Sequence, residues 1–442
     1  MKDDAMVNPT PPGLTGFRLL QAVKGDNRAR LAAWVRLRDQ YGDIVYGNFG
    51  KWHFYLLNHP DLVQQALVGQ ADKVTRIELG KKIRTAPPAH IPEDKAYHRK
   101  WRKLIAPAFT PGALRPYTET MVAHTLEMLD GWQHGETRAI DSDMTALTLR
   151  IVARSLFDAD VTDSQAAFSR AITLGSEYLA KGSVIPLPTP RNLRLLGAWI
   201  EVDKTIKRVI AERRHDHTRQ GDLLSTLIAA VDHEDGFRLN DQQVHGLVLS
   251  LFVAGHETTA TALTWTFDLL AAHPEVQARL HHELDSVLNG RAPTVDDLAD
   301  LPYADGVIRE AMRLYPPAWA LVRQAFDAPQ IGGYTIPNGG LLLMSPYVIG
   351  RDARFYPEPD RFKPERWQHA DDMPRYAYFP FGGGAHVCVG QFFALTEAQL
   401  IVATIASQYR FTRTAPPPEI EPLITLRPKG MVRLRIDSRW VL

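Results

Sequence analysis

The chain has 442 residues, with 51 Lys plus Arg against 50 Asp plus Glu and a formal net charge of +1. That balance excludes a strongly basic nucleic-acid binder and a polyacidic chain. Hydrophobic residues make up 45% and charged residues 23%, ordinary globular values that argue against disorder and allow a large core. The single cysteine, Cys388, excludes an intrachain disulfide and a cysteine-rich zinc site and points to a reducing compartment. The first residues, MKDDAMVNPTPPG, hold no apolar signal-peptide core. No run approaches the ~18 apolar residues of a membrane span, so the expectation is a soluble, cytoplasmic protein.

Residues 1–14 read as a flexible, proline-marked lead-in. A helix is predicted over 27–41, stopped by Gly42. Ile44–Tyr46 and Phe54–Leu57 read as a hairpin around Gly47, Asn48 and Gly50. Pro60 opens a short helix, and residues 70–93, with Pro87, Pro88 and Pro92, read as irregular. A helix from about Asp94 to Ala106 ends at Pro107. Helical periodicity continues over 116–132, 141–158, 163–180 and 192–215. No proline falls between Arg191 and His273, so Asp241 to Ala272 reads as one long helix ended by Pro274. At ~1.5 Å per residue it crosses most of a domain. Helices follow over 274–289 and 301–315.

The chain then changes character. Residues 321–345 alternate short strands with Gly and Pro turns, and 350–368 are an aromatic, proline-rich coil. Residues 379–390 are a glycine loop, a helix runs from about Gln391 to Gln408, and short strands close the chain. The expected class is mainly α with a small β part. Length alone suggests two or three domains of roughly 150 residues, but the interior offers no linker, repeat or low-complexity segment.

The strongest chemical signal surrounds the cysteine: Phe381-Gly-Gly-Gly-Ala-His386-Val-Cys388-Val-Gly390. A metal-bound thiolate needs a loop shielded from water and rich in backbone N–H donors. Glycines allow positive φ and close backbone approach. A helix beginning just after Cys388 aims its N–H groups and positive dipole end at the sulfur. Phe381 is placed to cover the sulfur's solvent side. The alternative is a buried structural cysteine in a glycine turn.

With this loop the chain resembles the cytochrome P450 superfamily, the haem-thiolate monooxygenases. His386 stands where that family more often has Arg. The resemblance covers about residues 15–435 and implies one haem domain over 15–442, haem b as cofactor and Cys388 as its iron ligand. Ala254-Gly255-His256-Glu257-Thr258-Thr259 matches the family's oxygen-activating segment. There Gly255, beside hydroxyls that bond backbone carbonyls, can open the helix locally, and Glu257 and Thr258 form an acid–alcohol pair. Read alone, the same string equally fits an ordinary helix with a surface Glu and a buried Thr.

Glu310 and Arg313 fall at i, i+3. Alone, such a pair is a surface salt bridge of small value. The resemblance implies instead a buried pair joined by Arg366, fixing the scaffold of the cysteine loop. His98 and Arg102 share one helix face, with Trp101 nearby. The resemblance assigns them, with Arg323 and His386, to the haem propionates. Arg99, Lys100 and Lys103 read as solvated charges, or as a docking face for an acidic redox partner. The resemblance places Leu251, Ala254, Ala318 and Leu321 in the substrate pocket, with residues from 70–93 and 175–195. His281-His282-Glu283 lacks the spacing of a zinc protease, and His256 has no second His four residues on.

The function implied is hydroxylation of a C–H bond in a lipophilic small molecule of the carotenoid, fatty-acid or terpenoid class. It uses O2 and two electrons from a separate ferredoxin or flavodoxin with its NAD(P)H-dependent reductase. No fused reductase is expected, and Gly382 and Gly384 are not followed by Gly at 387, so the loop is not a dinucleotide fingerprint. Tyr315-Pro-Pro-Ala-Trp319, Leu343-Met-Ser-Pro-Tyr347 and Thr425-Leu-Arg-Pro428 resemble bacterial carotenoid hydroxylases and the fatty-acid hydroxylase branch. The alternatives are a haem-based sensor and a peroxide-driven peroxygenase. The intact acid–alcohol pair disfavours both.

Overall fold

A computed structural model describes residues 10–76, 95–181, 189–216, 222–229 and 236–440. Its axis is the helix Asp241–Ala272. The helix begins where the Asn240 side chain accepts from Gln243 N–H at 2.9 Å and the Gln243 side chain accepts from Asn240 N–H at 2.8 Å. This reciprocal cap satisfies two otherwise orphaned donors. Pro274 opens the next helix, Pro274–Leu288. From Thr259 to Ala271 every residue of the long helix is buried, as expected of a helix enclosed on all sides. Five hydroxyls in the helix, on Ser250, Thr258, Thr259, Thr264 and Thr266, donate to the carbonyl four residues back. That bonding lets polar residues lie in the apolar interior. The helices Ile140–Phe157, Pro302–Leu314 and Gln391–Gln408 pack around it.

The β part stands to one side. A six-stranded sheet has the order Gly13–Thr15, Ile44–Phe49, Trp52–Leu57, Leu341–Met344, Leu321–Ala325, Val74–Arg76. Gly13 and Leu14, at the end of the stretch read as a flexible lead-in, are strand and pair in parallel with Tyr46 and Gly47. A Cβ on Gly13 would lie 1.8 Å from the Tyr46 carbonyl oxygen, so only glycine allows that approach. The hairpin is longer than the sequence pattern suggests. Gly47 and Asn48 are within its ladder, which runs from Ile44↔Leu57 to Phe49↔Trp52.

Val74–Arg76 forms an edge strand inside the stretch read as irregular, against Leu321–Ala325. The rest of that stretch, 77–93, lies outside the described residues, as do 1–9 and 182–188. The helix expected over 116–132 is Pro111–Leu129, because Pro111 takes the first helical turn, where its missing N–H has no partner to lose. A short helix, Leu223–Ala229, was not legible in the sequence. Gly16–Ala22 and Pro346–Ile349 are likewise helices that were not expected, whereas the longer ones fall within a few residues of expectation, among them Asn27–Tyr41, Gln165–Lys181 and Pro190–His215. Near the end of the chain, a strand Tyr409–Arg413 joins Arg433–Ser438 and Thr137–Ala139, and a small hairpin pairs Ile420–Pro422 with Leu426–Pro428. Among the described residues, no helix is long and apolar enough to cross a membrane.

Candidate active site

The cysteine loop and the long helix face each other across a cavity of about 290 Å³. The loop owes its shape to glycine. Gly382 (φ +75°) and Gly384 (φ +64°) take left-handed conformations, and a Cβ on Gly384 would lie 2.0 Å from the Leu67 carbonyl oxygen. The loop is closed by Cys388 N–H donating to Phe381 O at 2.9 Å and Val387 N–H to Gly384 O at 3.1 Å. Gly390 then caps the helix Gln391–Gln408. Cys388 carries accessible surface and lines the cavity. Burial pushes its thiol pKa up, opposed by the Gly390 N–H and by Arg102. Those two groups favour the thiolate once a positive ion shares the sulfur. Phe381 lines the same cavity.

Basic groups gather beside the loop. Arg102 donates to the Val387 carbonyl at 2.7 Å, tying the helix Lys95–Ile105 to the loop. His98 Nε2 and His386 Nδ1 are 3.1 Å apart. Arg323 is buried and pairs in register with Arg76. Arg76, Arg323 and His386 line the cavity. The cluster repels its own charge. Burial, then His98 and the three arginines, push the His386 pKa down to about 3. Burial and then Arg76 push Arg323 down to about 10, and burial, Arg102 and Arg76 push His98 down. Among the described residues, no carboxylate is paired with any of the five. The indole N–H of Trp101, edge-on to His98, is buried and has no hydrogen-bond partner. Five basic side chains and one orphaned donor around a cysteine fit a dianionic, iron-bearing group such as haem. Arg76 was missed in the sequence. Nothing local marks it, and only sheet register sets it opposite Arg323.

On the other wall, Ala254, Gly255, Thr258 and Thr259 line the cavity. Thr258 donates to Ala254 O at 2.7 Å and Thr259 to Gly255 O at 3.1 Å. The helix stays continuous through this segment, so the local opening expected at Gly255 is not formed. Gly255 serves packing instead. A Cβ there would sit 3.1 Å from Val152 of the neighbouring helix.

Glu257 does not face the cavity. Consecutive residues on a helix point about 100° apart, and its carboxylate accepts from Thr425 Oγ1 at 3.0 Å. It lines a separate polar cleft of about 610 Å³ with Asp141, Glu421 and Arg427. Burial pushes its pKa up, opposed by Thr425 and Arg427. The acid and the alcohol expected to form a pair thus open onto different spaces.

Leu251, Ala254, Ala318 and Leu321 all line the cavity, joined by Val152 and Leu156, which sequence reading did not name. Glu310 and Arg313 are not on the surface. Both side chains are 0% exposed and meet through two bonds of 2.8 Å. Glu310 also accepts from Arg366 Nε at 2.9 Å and from Trp367 Nε1 at 3.1 Å, while Arg313 donates to the carbonyls of Gly350, Pro359 and Arg361. The network pins the 350–367 coil to the helix Pro302–Leu314. His281-His282-Glu283 holds no metal geometry among the described residues. Glu283 caps the helix at 302–314 by accepting from Tyr303 N–H at 2.7 Å and Ala304 N–H at 2.9 Å.

A thiol on a glycine loop, a basic cluster with no carboxylate paired to it among the described residues and a hydroxyl-bearing helix across one cavity fit a haem-thiolate enzyme. The chain belongs to the cytochrome P450 family, whose model matches residues 9–434. It is a P450 monooxygenase that binds thiolate-ligated haem b and hydroxylates a lipophilic small molecule, with O2 and redox partners. It is 38% identical to a cyclooctat-9-en-7-ol 5-monooxygenase of Streptomyces melanosporofaciens over 84% of this chain and 83% of that protein. It is 37% identical to a cyclooctatin synthase of the same organism, over 86% and 85%. It is 35% identical to a pentalenene oxygenase of Streptomyces avermitilis, over 90% and 91%.

Proposed function

We propose that Cys388 is the iron ligand and that the substrate is an uncharged, alicyclic terpenoid hydrocarbon or its alcohol. The observation that carries this reading is the wall of the cavity facing Cys388. Val152, Leu156, Leu251, Ala254, Ala318 and Leu321 make it apolar, with threonine hydroxyls beside them. The basic groups at the cavity would be taken up by the two carboxylates of the cofactor, which leaves none among the described residues for a fatty-acid headgroup. The names of the relatives, a cyclic alkenol and pentalenene, fit such a wall. This reading sets aside the fatty-acid class and narrows the lipophilic class to rings.

The thiolate-ligated haem, when bound, supplies the reductive splitting of O2 and the oxidation of the C–H bond. The chain's own residues do the rest. His98, Arg102, Arg76, Arg323, His386 and the Trp101 N–H hold the carboxylates. The Gly390 N–H and Arg102 stabilise the sulfur's negative charge. Glu310, Arg313 and Arg366 fix the coil that leads to the loop. Thr258 holds a proton at its Oγ1 on the cavity side, and Glu257 takes protons from the polar cleft behind it. The apolar wall excludes bulk water and orients the substrate by shape. Electrons come from a separate ferredoxin or flavodoxin with an NAD(P)H-dependent reductase.

The test is a titration of the ferric protein with cyclic terpenes and their alcohols, with fatty acids and with carotenoids, read in the Soret band. A saturable high-spin shift with the cyclic terpenoids alone supports the assignment. A shift with fatty acids in their place overturns it.

A further inference from the structure

The helix Pro190–His215 carries two apolar faces. Ala198, Val202, Ile206, Val209 and Ile210 are buried against the rest of the chain. Leu193, Leu196 and Ile200 fall at i, i+3 and i+7 on another face and are 55%, 56% and 46% exposed. At about 100° per residue, this second stripe is turned away from the first by roughly 150°. Gly197 lies within it, exposed, and a Cβ there would meet nothing within 4 Å. A second apolar stripe adds nothing to the fold of a single chain, and a grouped apolar patch marks an interaction surface.

The stripe is complementary to itself. A two-fold axis passing between Leu196 and Gly197 lays two copies of the helix antiparallel. Leu193 then falls opposite the partner's Ile200, and Leu196 opposite the partner's Gly197. A leucine enters the space that a missing side chain leaves, so the axes can approach to the short end of the usual helix–helix range, about 8–10 Å. The polar residues agree with this register. Arg194 and Glu201, both exposed, share one flank of the stripe. The two-fold brings like flanks together and sets Arg194 within about 3 Å, along the axis, of the partner's Glu201. Arg170 already holds Glu201 at 3.4 Å, so the carboxylate would lie between two cations. Thr189 and Lys204 close the stripe with polar groups at its two ends. A lipid surface fits this face less well. It carries no aromatic side chain, because Trp199 turns against Gly175 of the neighbouring helix, and a glycine at its centre inserts nothing.

We propose that the 193–200 face of this helix is an isologous interface between two copies of the chain. One helix pair falls at the low end of the roughly 1,200–2,000 Å² that specific interfaces bury, so the dimer forms in the micromolar range.

Sedimentation velocity of the haem-bound protein, from low to high micromolar, tests this. Wild type is expected to pass from monomer to dimer. Gly197→Leu fills the space opposite Leu196 and should raise the dimer dissociation constant about tenfold or more. It should leave the monomer folded, since it has open space around it and a better helix former in place of glycine. Register is read by cross-linking. A mixture of Leu193→Cys and Ile200→Cys should form a disulfide on mild oxidation, whereas each variant alone should not, its two thiols lying about 10 Å apart along the axis. A wild type that stays monomeric overturns the proposal, and so does a dimer that Gly197→Leu leaves unchanged. Cross-linking of the single variants as readily as of the mixture also overturns it. A monomer that binds anionic vesicles through this stripe assigns the face to lipid and overturns it too.

Discussion

Arg76 and Arg323 face each other directly across two antiparallel strands, 74–76 and 321–325, with no carboxylate among the described residues paired to either. Like charges directly opposite on a sheet destabilise it by up to about 1 kcal/mol. The pair becomes favourable only when an anion lies between the guanidinium groups. Arg76→Gln is therefore expected to change sign with cofactor. It should stabilise the apoprotein slightly, and in the holoprotein it should weaken haem retention about tenfold, roughly 1.4 kcal/mol. Thermal unfolding of both forms and the rate of haem transfer to an acceptor protein measure the two effects. Destabilisation of both forms alike would mean that Arg76 serves packing alone.

Cys388→Ala removes the only thiol in the chain. The variant should fold, because Cys388 holds the loop through its backbone N–H and not its side chain. It should lose the thiolate-type reduced, carbon monoxide-bound spectrum and all O2-dependent product formation. Retention of that spectrum would sink the ligand assignment.

Thr258 and Glu257 face different spaces and should fail differently. Thr258→Ala empties the cavity-side hydroxyl, so substrate binding stays and electrons are diverted to hydrogen peroxide. Glu257→Gln leaves the cavity wall intact but removes the acid on the cleft. Its turnover should fall by on the order of 10²-fold, the usual scale for a positioned proton donor, with a raised solvent isotope effect. If Glu257→Gln turns over at the wild-type rate, protons enter by another route.

Much of this architecture is legible in the sequence, for physical reasons. The long helix is marked by its proline-free interval and Pro274. The glycine loop is marked by the lone cysteine. Facing is harder to read. Glu257 and Thr258 look like a pair because they are neighbours, yet helical geometry turns one to a cleft and the other to the cavity. Glu310 with Arg313 has the spacing of a weak surface bridge, and its burial depends on a coil about fifty residues further along the chain. Arg76 carries no local pattern and acquires its place from strand register.

Glu310 is the hub of the network beneath the cysteine loop. Glu310→Ala leaves Arg313 buried without its partner, and breaking such a pair costs about 3–5 kcal/mol. Urea unfolding should show a loss of that size, together with reduced haem content, because the 350–367 coil leads into the loop. Arg366→Ala leaves the Glu310–Arg313 contact in place and should cost clearly less. Equal losses in the two variants would contradict a hub at Glu310.

His256 gives the fold a pH dependence of predictable sign. Its ring is fully buried, Nδ1 lies 2.6 Å from Phe252 O, and Nε2 has no partner. Burial pushes its pKa down to about 4, opposed by the Phe252 carbonyl. An unfolded histidine titrates near 6.5. Between the two values the unfolded chain binds the proton and the folded chain does not, so stability falls as pH falls through that window. Above about 6.5 both states are neutral and the contribution is constant; below about 4 both are charged and the loss is complete. The full loss is on the order of 3 kcal/mol. His281, buried and likewise pushed to about 4 by burial and by Arg439 and Arg410, adds to the same slope. His256→Gln removes one titrating group from the core. Its unfolding free energy, measured by urea from about pH 7.5 to pH 4.5, should fall less steeply than that of wild type. Parallel curves would show that the ring is protonated in the folded state or that the core relaxes to admit its charge.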